Sequence, residues 1–209
     1  MIDNITEFKF REALKNNKKV RLVTYIGGAV VVAVLGYFAY DYFIFRPNNE
    51  KSKDSYYAAL NYAAADSVDL AIDEARRGVK KFDGKIGGEI NQFILARTLM
   101  EKGEYKNALK ELQGVKLDDT FLSVAVISLQ GDCQSELKNY KEAKELYLKA
   151  SKKNVNDKTT PENLFKAALV TEKLNQKAEA FELYTRIENE YPNFASQKAI
   201  SKYISRTQN

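Results

Sequence analysis

Paired carboxylates are the side chains in this sequence that could carry out acid–base chemistry. Asp118 and Asp119 are adjacent, and Glu188 and Glu190 are two residues apart. Two close carboxyl groups can divide the roles of proton donor and base between them. We expect Asp118–Asp119 in a turn between helices and Glu188/Glu190 on a polar helix face, where solvated carboxylates need no catalytic role.

Histidine and paired cysteines, two other common catalytic and metal-binding groups, are missing from the sequence. The chain has no histidine, the side chain that most often serves as general base or metal ligand. Cys133 is the single cysteine, so no intramolecular disulfide or cysteine cluster can form. Its apolar helical surroundings predict a small buried hydrophobe. The sequence therefore predicts a protein that is not an enzyme and needs no metal or other cofactor.

Binding of another molecule is the remaining kind of function. A sequence pattern that recurs along the chain indicates which helices would form the binding surface. Three segments share one pattern: LMEKGEYKNALKEL at 99–112, ELKNYKEAKELYLKA at 136–150 and KLNQKAEAFELYTRI at 173–187. Aligned on Ala108, Ala143 and Ala180, they are 35 and 37 residues apart. This spacing resembles the tetratricopeptide repeat, a pair of antiparallel helices of about 34 residues.

Residue types around the aligned alanines fit a helix pair. A small residue lies twelve positions before each alanine, where two helices would cross closely, and a large one lies four positions after it: Ala96, Gly131 and Ala168, then Leu112, Tyr147 and Tyr184. Gly103 and Asn175 suit the left-handed residue that ends a first helix, and Lys138 departs from this pattern. Pro192 is expected to end the last second helix.

A weaker unit precedes these three. Ala59 and Ala71 are again twelve residues apart, and the segment DGKIGG at 83–88 is expected to link this unit to the next. Residues 196–206 resemble a solvent-facing capping helix. The sequence thus predicts an all-α fold in which about four repeats and a C-terminal capping helix occupy residues 52–209.

An apolar segment near the N-terminus predicts a membrane anchor. Nineteen residues from Leu22 to Tyr40 carry no charge, enough for about 29 Å of helix, close to the thickness of a bilayer core. Aromatic residues follow, and Arg46 and Pro47 are expected to end the helix. We therefore assign 22–45 to a transmembrane helix in the lipid bilayer and 46–51 to a linker. The length of the segment and the lack of a small-residue cleavage site before Asp41 disfavour a cleaved signal peptide.

The flanking charges predict the orientation of the anchor. Six Lys and Arg residues precede the span and three lie in the fifteen residues after Phe45. This bias predicts a cytoplasmic segment at 1–21, with the repeat array on the opposite side. Ile5, Phe8, Phe10 and Leu14 suggest at most a short membrane-surface helix. Residues 47–209 carry a net charge of only +2, with interspersed signs, so nucleic acid is not an expected partner.

Anchor and array together are similar to the YfgM-like family of bacterial inner-membrane proteins. The phrases ADSVDLAI, TTPENLFKAALVTEKL and IENEYPNFASQKAISKYISR carry this resemblance. It implies a periplasmic repeat domain and an ancillary subunit of the SecYEG translocon, working beside a PpiD-like periplasmic chaperone on exported polypeptides.

First helices of such arrays line a concave face, which we take as the candidate protein-binding groove. Counting from the aligned alanines assigns twelve residues to it: Tyr56, Leu60, Ile90, Phe93, Arg97, Met100, Ser128, Asp132, Ser135, Phe165, Leu169 and Glu172. Apolar residues here would suit an extended or helical polypeptide segment. A one-residue shift in register would instead place Phe93 and Phe165 in the core.

Three other functions fit parts of the sequence. A cytosol-facing array would resemble an organelle import receptor, although the basic flank disfavours that topology. A cell-envelope or division assembly adaptor would keep the architecture without contacting the translocon. An enzyme would have to depend on a single carboxylate.

Overall fold

The computed structural model describes Lys15 and residues 17–208, and every regular element in that range is helical. The predicted surface helix around Ile5, Phe8, Phe10 and Leu14 lies outside the described residues. The chain divides into two compact units, Met1–Glu50 and Lys51–Asn209.

The N-terminal unit is dominated by α1 (Lys18–Tyr40). The side chain of Asn17 caps its N-terminus by accepting hydrogen bonds from the backbone N–H groups of Lys19 and Val20, at 3.0 and 3.4 Å. None of its residues is buried, and its most apolar stretch has a mean hydropathy of 2.0. The helix is therefore long and apolar enough to cross a membrane.

Residues 46–51, which the sequence predicts to link anchor and array, are helical. A π-helical turn at Asp41–Phe45 follows α1, and α2 (Arg46–Ser52) continues from it. Pro47 lacks the N–H for an α-helical hydrogen bond and its ring needs space, and a widened turn before a proline meets both demands. Arg46 Nε donates to Asp41 Oδ2 at 2.7 Å, across the five-residue spacing of this turn.

The second unit consists of antiparallel helix pairs followed by two short helices. The pairs are α3 (Tyr57–Ala64) with α4 (Val68–Lys81), α5 (Ile86–Glu101) with α6 (Tyr105–Gly114), α7 (Leu122–Glu136) with α8 (Tyr140–Lys153), and α9 (Thr159–Lys173) with α10 (Lys177–Glu190). Each helix packs on the next along the chain. α11 (Pro192–Lys198) and α12 (Ile200–Thr207) follow. The predicted fold, a tetratricopeptide-type α-solenoid with four repeats and a cap, is confirmed.

Small residues lie where the helices of a pair cross, as the sequence predicts. Each pair has one small residue in its first helix and one in its second. All eight are buried: Ala59, Ala71, Ala96, Ala108, Gly131, Ala143, Ala168 and Ala180. The large residues four positions after the aligned alanines, Leu112, Tyr147 and Tyr184, are buried too. Backbones can approach closely at the small residues, and the large ones fill the space that this leaves between pairs.

The turns of all four pairs contain a left-handed residue at the aligned position, and in the first pair it is Asp66, with φ +53°. Gly103 and Asn175 have φ values of +80° and +58°, which confirms the prediction for both. Lys138 has φ +63° despite its Cβ. The repeat geometry therefore imposes this conformation even where the residue type does not favour it.

The segment 83–88 is only in part the linker that the sequence predicts, because α5 already begins at Ile86. Gly87 and Gly88 are buried in its first turn, and a Cβ on either would collide with backbone atoms of Ser52 or Phe82. Gly87 N also donates to Ser52 Oγ at 3.0 Å. These glycines serve close packing at the start of the array and not flexibility.

The C-terminal cap is two helices, whereas the sequence predicts one over 196–206. Ala199 is left-handed, with φ +50°, and separates α11 from α12. α12 packs on α10, with Ile200 fully buried and Tyr203 and Ile204 against the same core. Its other face, with Ser201, Lys202 and Ser205, is exposed to solvent, as expected for a cap.

Candidate functional site

A mainly apolar cavity of about 450 Å³ lies between the first helices of the first two pairs and the start of α7. Five predicted groove residues line it: Tyr56, Leu60, Ile90, Phe93 and Arg97. They come together because Ile90, Phe93 and Arg97 are three and four residues apart on one face of α5. Leu60 follows Tyr56 by four residues and presents the facing side of α3.

Phe93 both lines the cavity and belongs to the wall of the core. It is half-buried and packs, with Tyr56 and Ile90, against the buried cluster that includes Ile94 and Leu95. One side of Phe93 therefore faces the groove and the other packs on the core, so both alternatives for this residue apply in part. Leu60 is more open, at 44% exposed, and its side chain can meet a ligand without rearrangement.

Arg97 supplies a charge at the edge of this apolar cavity. Its side chain is exposed and, among the described residues, it forms no ion pair. Glu101, one turn further along α5, lines the same cavity. A ligand covering the apolar surface would thus meet one cation and one anion in fixed order along α5.

A second cavity, of about 290 Å³, shares Phe93 and Arg97 with the first and extends along the array. Ala125, Ser128 and Leu129 from α7 and Lys166 from α9 complete it. The two cavities form one groove over the first helices of all four pairs. We call this surface, from Leu60 through Phe93 and Arg97 to Ser128 and Lys166, the first-helix groove.

Asp132 is engaged in a polar network beneath the groove. Both of its carboxylate oxygens accept from Lys166 Nζ at 2.9 Å, and Tyr147 Oη donates to Oδ1 at 2.7 Å. Lys166 also reaches Ser128 Oγ at 3.3 Å. Burial, followed by the nearby charge of Asp132, raises the pKa of Tyr147 well above its usual range. Ser128 and Asp132 thus stabilise the groove floor, and their polar atoms already have partners.

Phe165 does not line the groove, contrary to the prediction. It lies in an aromatic cluster with Tyr184, Phe194 and Tyr203, at ring-centroid distances of 6.1, 6.3 and 5.0 Å. The cap explains this placement, because α12 covers the surface of α9 and α10 that a fifth repeat would otherwise cover. Here the core alternative is the correct one.

The other predicted groove residues are distributed between the core and the C-terminal end. Met100 packs against the buried cluster around Leu95 and lines neither of the two groove cavities. Leu169 and Glu172 border a separate cavity near the cap, where Arg206 Nη2 binds Glu172 Oε1 at 2.6 Å. Ser135 lines a polar cavity with Leu169 and Lys173. The predicted set therefore separates into an N-terminal groove and a C-terminal region in which cap residues take part.

One acid of each pair, Asp119 and Glu190, has a structural partner. Asp119 lies in the turn before α7, as predicted, and accepts from the backbone N–H groups of Phe121 and Leu122 at 2.8 and 2.9 Å. The N–H of Leu122 and then that of Phe121 lower the pKa of this carboxyl group. Glu190 pairs with Arg186 at 3.0 Å on an exposed helix face. Asp119 thus stabilises the start of α7, and Glu190 takes part in a surface ion pair.

Cys133 is fully buried, as predicted, and burial raises the pKa of its thiol to about 11. The thiol is therefore protonated and unreactive at neutral pH. Within the described residues, no three His, Cys, Asp or Glu side chains are close enough together to hold a metal ion.

Two leucines of the cavity wall were not predicted. Leu117 comes from the loop between α6 and α7, and Leu122 is the first residue of α7. Counting along helices cannot place a loop residue on the groove. The available signal was an isolated apolar residue in the polar segment KLDDT.

Comparison with known proteins supports the fold. The tetratricopeptide-repeat profile matches residues 162–193, which span most of α9, all of α10 and the start of α11. A crystal structure of the apo form of RapI aligns over 94% of this chain and 72% of its own, at 17% identity and a TM-score of 0.63. Kinesin light chain tetratricopeptide-like repeats from Podospora anserina align over 76% of this chain and 85% of theirs, at 16% identity and a TM-score of 0.62. No significant match was found among curated proteins.

Proposed function

We propose that this tetratricopeptide-type protein is anchored in the bacterial inner membrane by α1 and binds polypeptide in its first-helix groove on the periplasmic side. It would serve as a chaperone-like subunit of the SecYEG export channel, beside a PpiD-like chaperone. Arrays with this fold are protein-interaction scaffolds, and the more specific role is our proposal.

The first-helix groove is the observation on which the proposal rests. Leu60, Ile90 and Phe93 offer apolar surface that is open to a ligand, and Arg97 lies beside them with no ion pair among the described residues. Burying one large apolar side chain contributes about 1.5–3 kcal/mol. Association also costs the translational and rotational freedom of the bound segment and the ordering of its side chains. Affinity for a single segment should therefore be modest, as suits a protein that holds and releases unfolded chains.

A membrane anchor compensates for modest affinity. Tethering beside an export channel raises the effective concentration of the groove toward chains that emerge there. The apolar length of α1 and the basic residues before it support this arrangement and its orientation. The resemblance to the YfgM-like family supports the choice of SecYEG as the channel.

A non-catalytic role follows from the chemistry of the same surface. The groove residues are apolar except for Arg97, Glu101 and polar groups bound to one another. Asp132 is held by Lys166 and Tyr147. We infer that binding, without turnover, is the function of this face.

Site-specific photocrosslinking in native membranes tests the proposal. A benzophenone amino acid replaces Leu60 in the full-length chain, and a matched chain carries it at Lys110, an exposed residue on the second helix α6. We expect exported polypeptides among the adducts of position 60 and not of position 110. Equal adducts at both positions would contradict groove binding.

Partners recovered from the same membranes in mild detergent separate the alternatives. Translocon subunits with a periplasmic chaperone would support the export role. Envelope or division proteins alone would indicate an assembly adaptor and overturn the translocon proposal. A cytosolic chaperone as the main partner would show that the orientation is reversed.

A further inference from the structure

A third cavity, of about 250 Å³, lies between the N-terminal ends of α7 and α9. We call it the edge cavity, and its lining includes Phe121, Val124, Ala125, Ser128, Lys158 and Glu162. Ala125 and Ser128 also line the second cavity of the first-helix groove. The groove is therefore continuous with the edge cavity, and a polypeptide bound in the groove would reach it.

Phe121 is the exposed aromatic residue of the edge cavity. It is 62% exposed, whereas Val124 in the same lining is 1% exposed. The backbone that carries the ring is held in place, because Asp119 Oδ1 accepts from the N–H of Phe121 at 2.8 Å and Asn154 Nδ2 donates to the carbonyl oxygen of Thr120 at 2.8 Å. A ring on a fixed backbone beside an apolar cavity can contact a ligand side chain at a small cost in conformational entropy.

The middle of the groove carries a net positive charge. Arg97 lines both the first and the second cavity, whereas Glu101 lines only the first. Lys166 also lines the second cavity, but Asp132 already binds its Nζ at 2.9 Å. Arg97 is exposed and has no ion pair among the described residues. The uncompensated charge between the two apolar cavities is thus that of Arg97, which favours an acidic group in the ligand.

The edge cavity does not share this preference. Its lining contains one cation and one anion, Lys158 and Glu162, whose charges balance. The continuous surface therefore presents apolar contacts at its two ends and a cation between them. An uninterrupted apolar segment would cover Arg97 without giving it a partner, which is unfavourable.

The spacing of the helices sets the length of the segment that this surface accommodates. First helices of neighbouring pairs contact each other, α3 with α5 and α7 with α9. Packed helices lie about 8–10 Å apart, so two such steps separate the first cavity from the edge cavity by about 16–20 Å. This distance corresponds to about five or six residues of extended chain or about eleven to thirteen residues of helix.

We propose that the ligand of this protein is a polypeptide segment in which two large apolar residues flank an acidic residue. One apolar side chain enters the first cavity, the carboxylate pairs with Arg97, and the other apolar side chain packs on Phe121 in the edge cavity. The inference rests on the proposed binding of polypeptide in the first-helix groove. It adds the edge cavity as a second anchor site and makes Arg97 the residue that discriminates against wholly apolar segments, such as transmembrane helices.

Fluorescence anisotropy of designed peptides on the full-length chain in detergent tests this proposal. The peptides have a Ser/Gln background and two Phe residues, six or twelve positions apart, with Asp, Lys or Leu midway between them. At the separation that fits, we expect the Asp peptide to bind about fivefold more tightly than the Lys peptide. Arg97→Glu should reverse this order. Lys110→Glu, at an exposed residue of α6, is the matched charge control and should leave the order unchanged.

Truncation of Phe121 tests the second anchor site. Phe121→Ala should lower the affinity for the peptide with two Phe residues by about tenfold and leave that for a peptide with one Phe unchanged. Leu70→Ala is the matched control, because Leu70 is 54% exposed on the second helix α4 and lines none of the three cavities.

The outcomes separate this inference from the proposed function. Peptide binding that is absent, or that survives Leu60→Asp, would overturn groove binding and this inference with it. Binding that depends on Leu60 but is equal for the Asp, Lys and Leu peptides would overturn the selection by Arg97 alone. Equal affinity of the unaltered chain and Phe121→Ala for the peptide with two Phe residues would overturn the second anchor site. A dimer in sedimentation that Phe121→Ala dissociates would show that a second copy, and not the bound segment, covers the edge cavity.

Discussion

The ring of Tyr147 lies against Gly131 so closely that a Cβ on the glycine would stand 2.6 Å from Cε1 of the ring. The equivalent pairs are Ala96 with Leu112 and Ala168 with Tyr184. In the third repeat the small position has one methyl group fewer than in the other repeats, and Tyr147 takes that space while its hydroxyl group donates to Asp132.

Gly131→Ala should therefore destabilise the array, although alanine favours helix at most positions. The added methyl group must displace a ring that is also held by a hydrogen bond, and such overpacking costs about 1–3 kcal/mol. Thermal unfolding of the full-length chain in detergent, followed by circular dichroism, should show a lower midpoint than the unaltered chain.

A double variant provides the control for this prediction. Gly131→Ala combined with Tyr147→Leu recreates the Ala–Leu pair of the second repeat, and should be more stable than the sum of the two single changes implies. Additive losses would mean that the clash with Tyr147 is not the cause.

Lys138 is the clearest site for stabilisation. Its φ of +63° places a Cβ in the left-handed region, where Gly103 and Asn175 occupy the aligned turns. Lys138→Gly should raise the free energy of unfolding by up to about 1 kcal/mol, because glycine carries no left-handed penalty. Gly103→Ala, the reverse change, should lower it. An unfolding midpoint that is unchanged or lower for Lys138→Gly would contradict this account.

Residue periodicity predicted those features that the repeat imposes on every unit. The eight small crossing residues, the three large residues after them and the left-handed turns follow from one geometry repeated along the chain. A spacing of 35 or 37 residues suffices to find them. Lys138 is left-handed as well, because the repeat and not the residue type determines the backbone conformation at this position.

Features that depend on the ends of the array could not be predicted in this way. Phe165 occupies a groove position by counting, yet α12 packs there and turns it into core. From the sequence, Gly87 and Gly88 are assigned to a link between repeats. The close approach of the Ser52 backbone to Gly87, which requires a glycine there, cannot be predicted from the sequence. Pro47 is predicted to end a helix. No sequence pattern indicates the π-helical turn at Asp41–Phe45 that accommodates it.

Two buried tyrosines predict a loss of stability at alkaline pH. Burial raises the pKa of both Tyr147 and Tyr184 above 10 in the folded chain, and the carboxylates of Asp132 and Glu172 add to this. The folded chain then holds protons that the unfolded chain releases. The contribution is complete below pH 10 and falls as pH rises above it, by about 1.4 kcal/mol per pH unit for each tyrosine.

Denaturant unfolding between pH 8 and 11 measures this effect. Tyr147→Phe and Tyr184→Phe should each remove part of the alkaline decline, and the double variant most of it, apart from the decline that lysine titration causes. Tyr62→Phe is the matched control, because that ring is 41% exposed. An alkaline decline that is identical in all variants would contradict the assignment to buried tyrosines.

Leu60→Asp should abolish polypeptide binding while leaving the fold intact. Leu60 is 44% exposed at the mouth of the larger cavity, so a carboxylate there meets water in the free protein. Covering that carboxylate with an apolar segment would leave a buried charge without a partner. We expect at least a tenfold loss of affinity for a fluorescent apolar peptide, measured by anisotropy on the full-length chain. Val155→Asp, at a side chain that is 71% exposed and away from the groove, serves as control and should bind normally. If both variants lose binding equally, or neither does, the first-helix groove is not the binding surface.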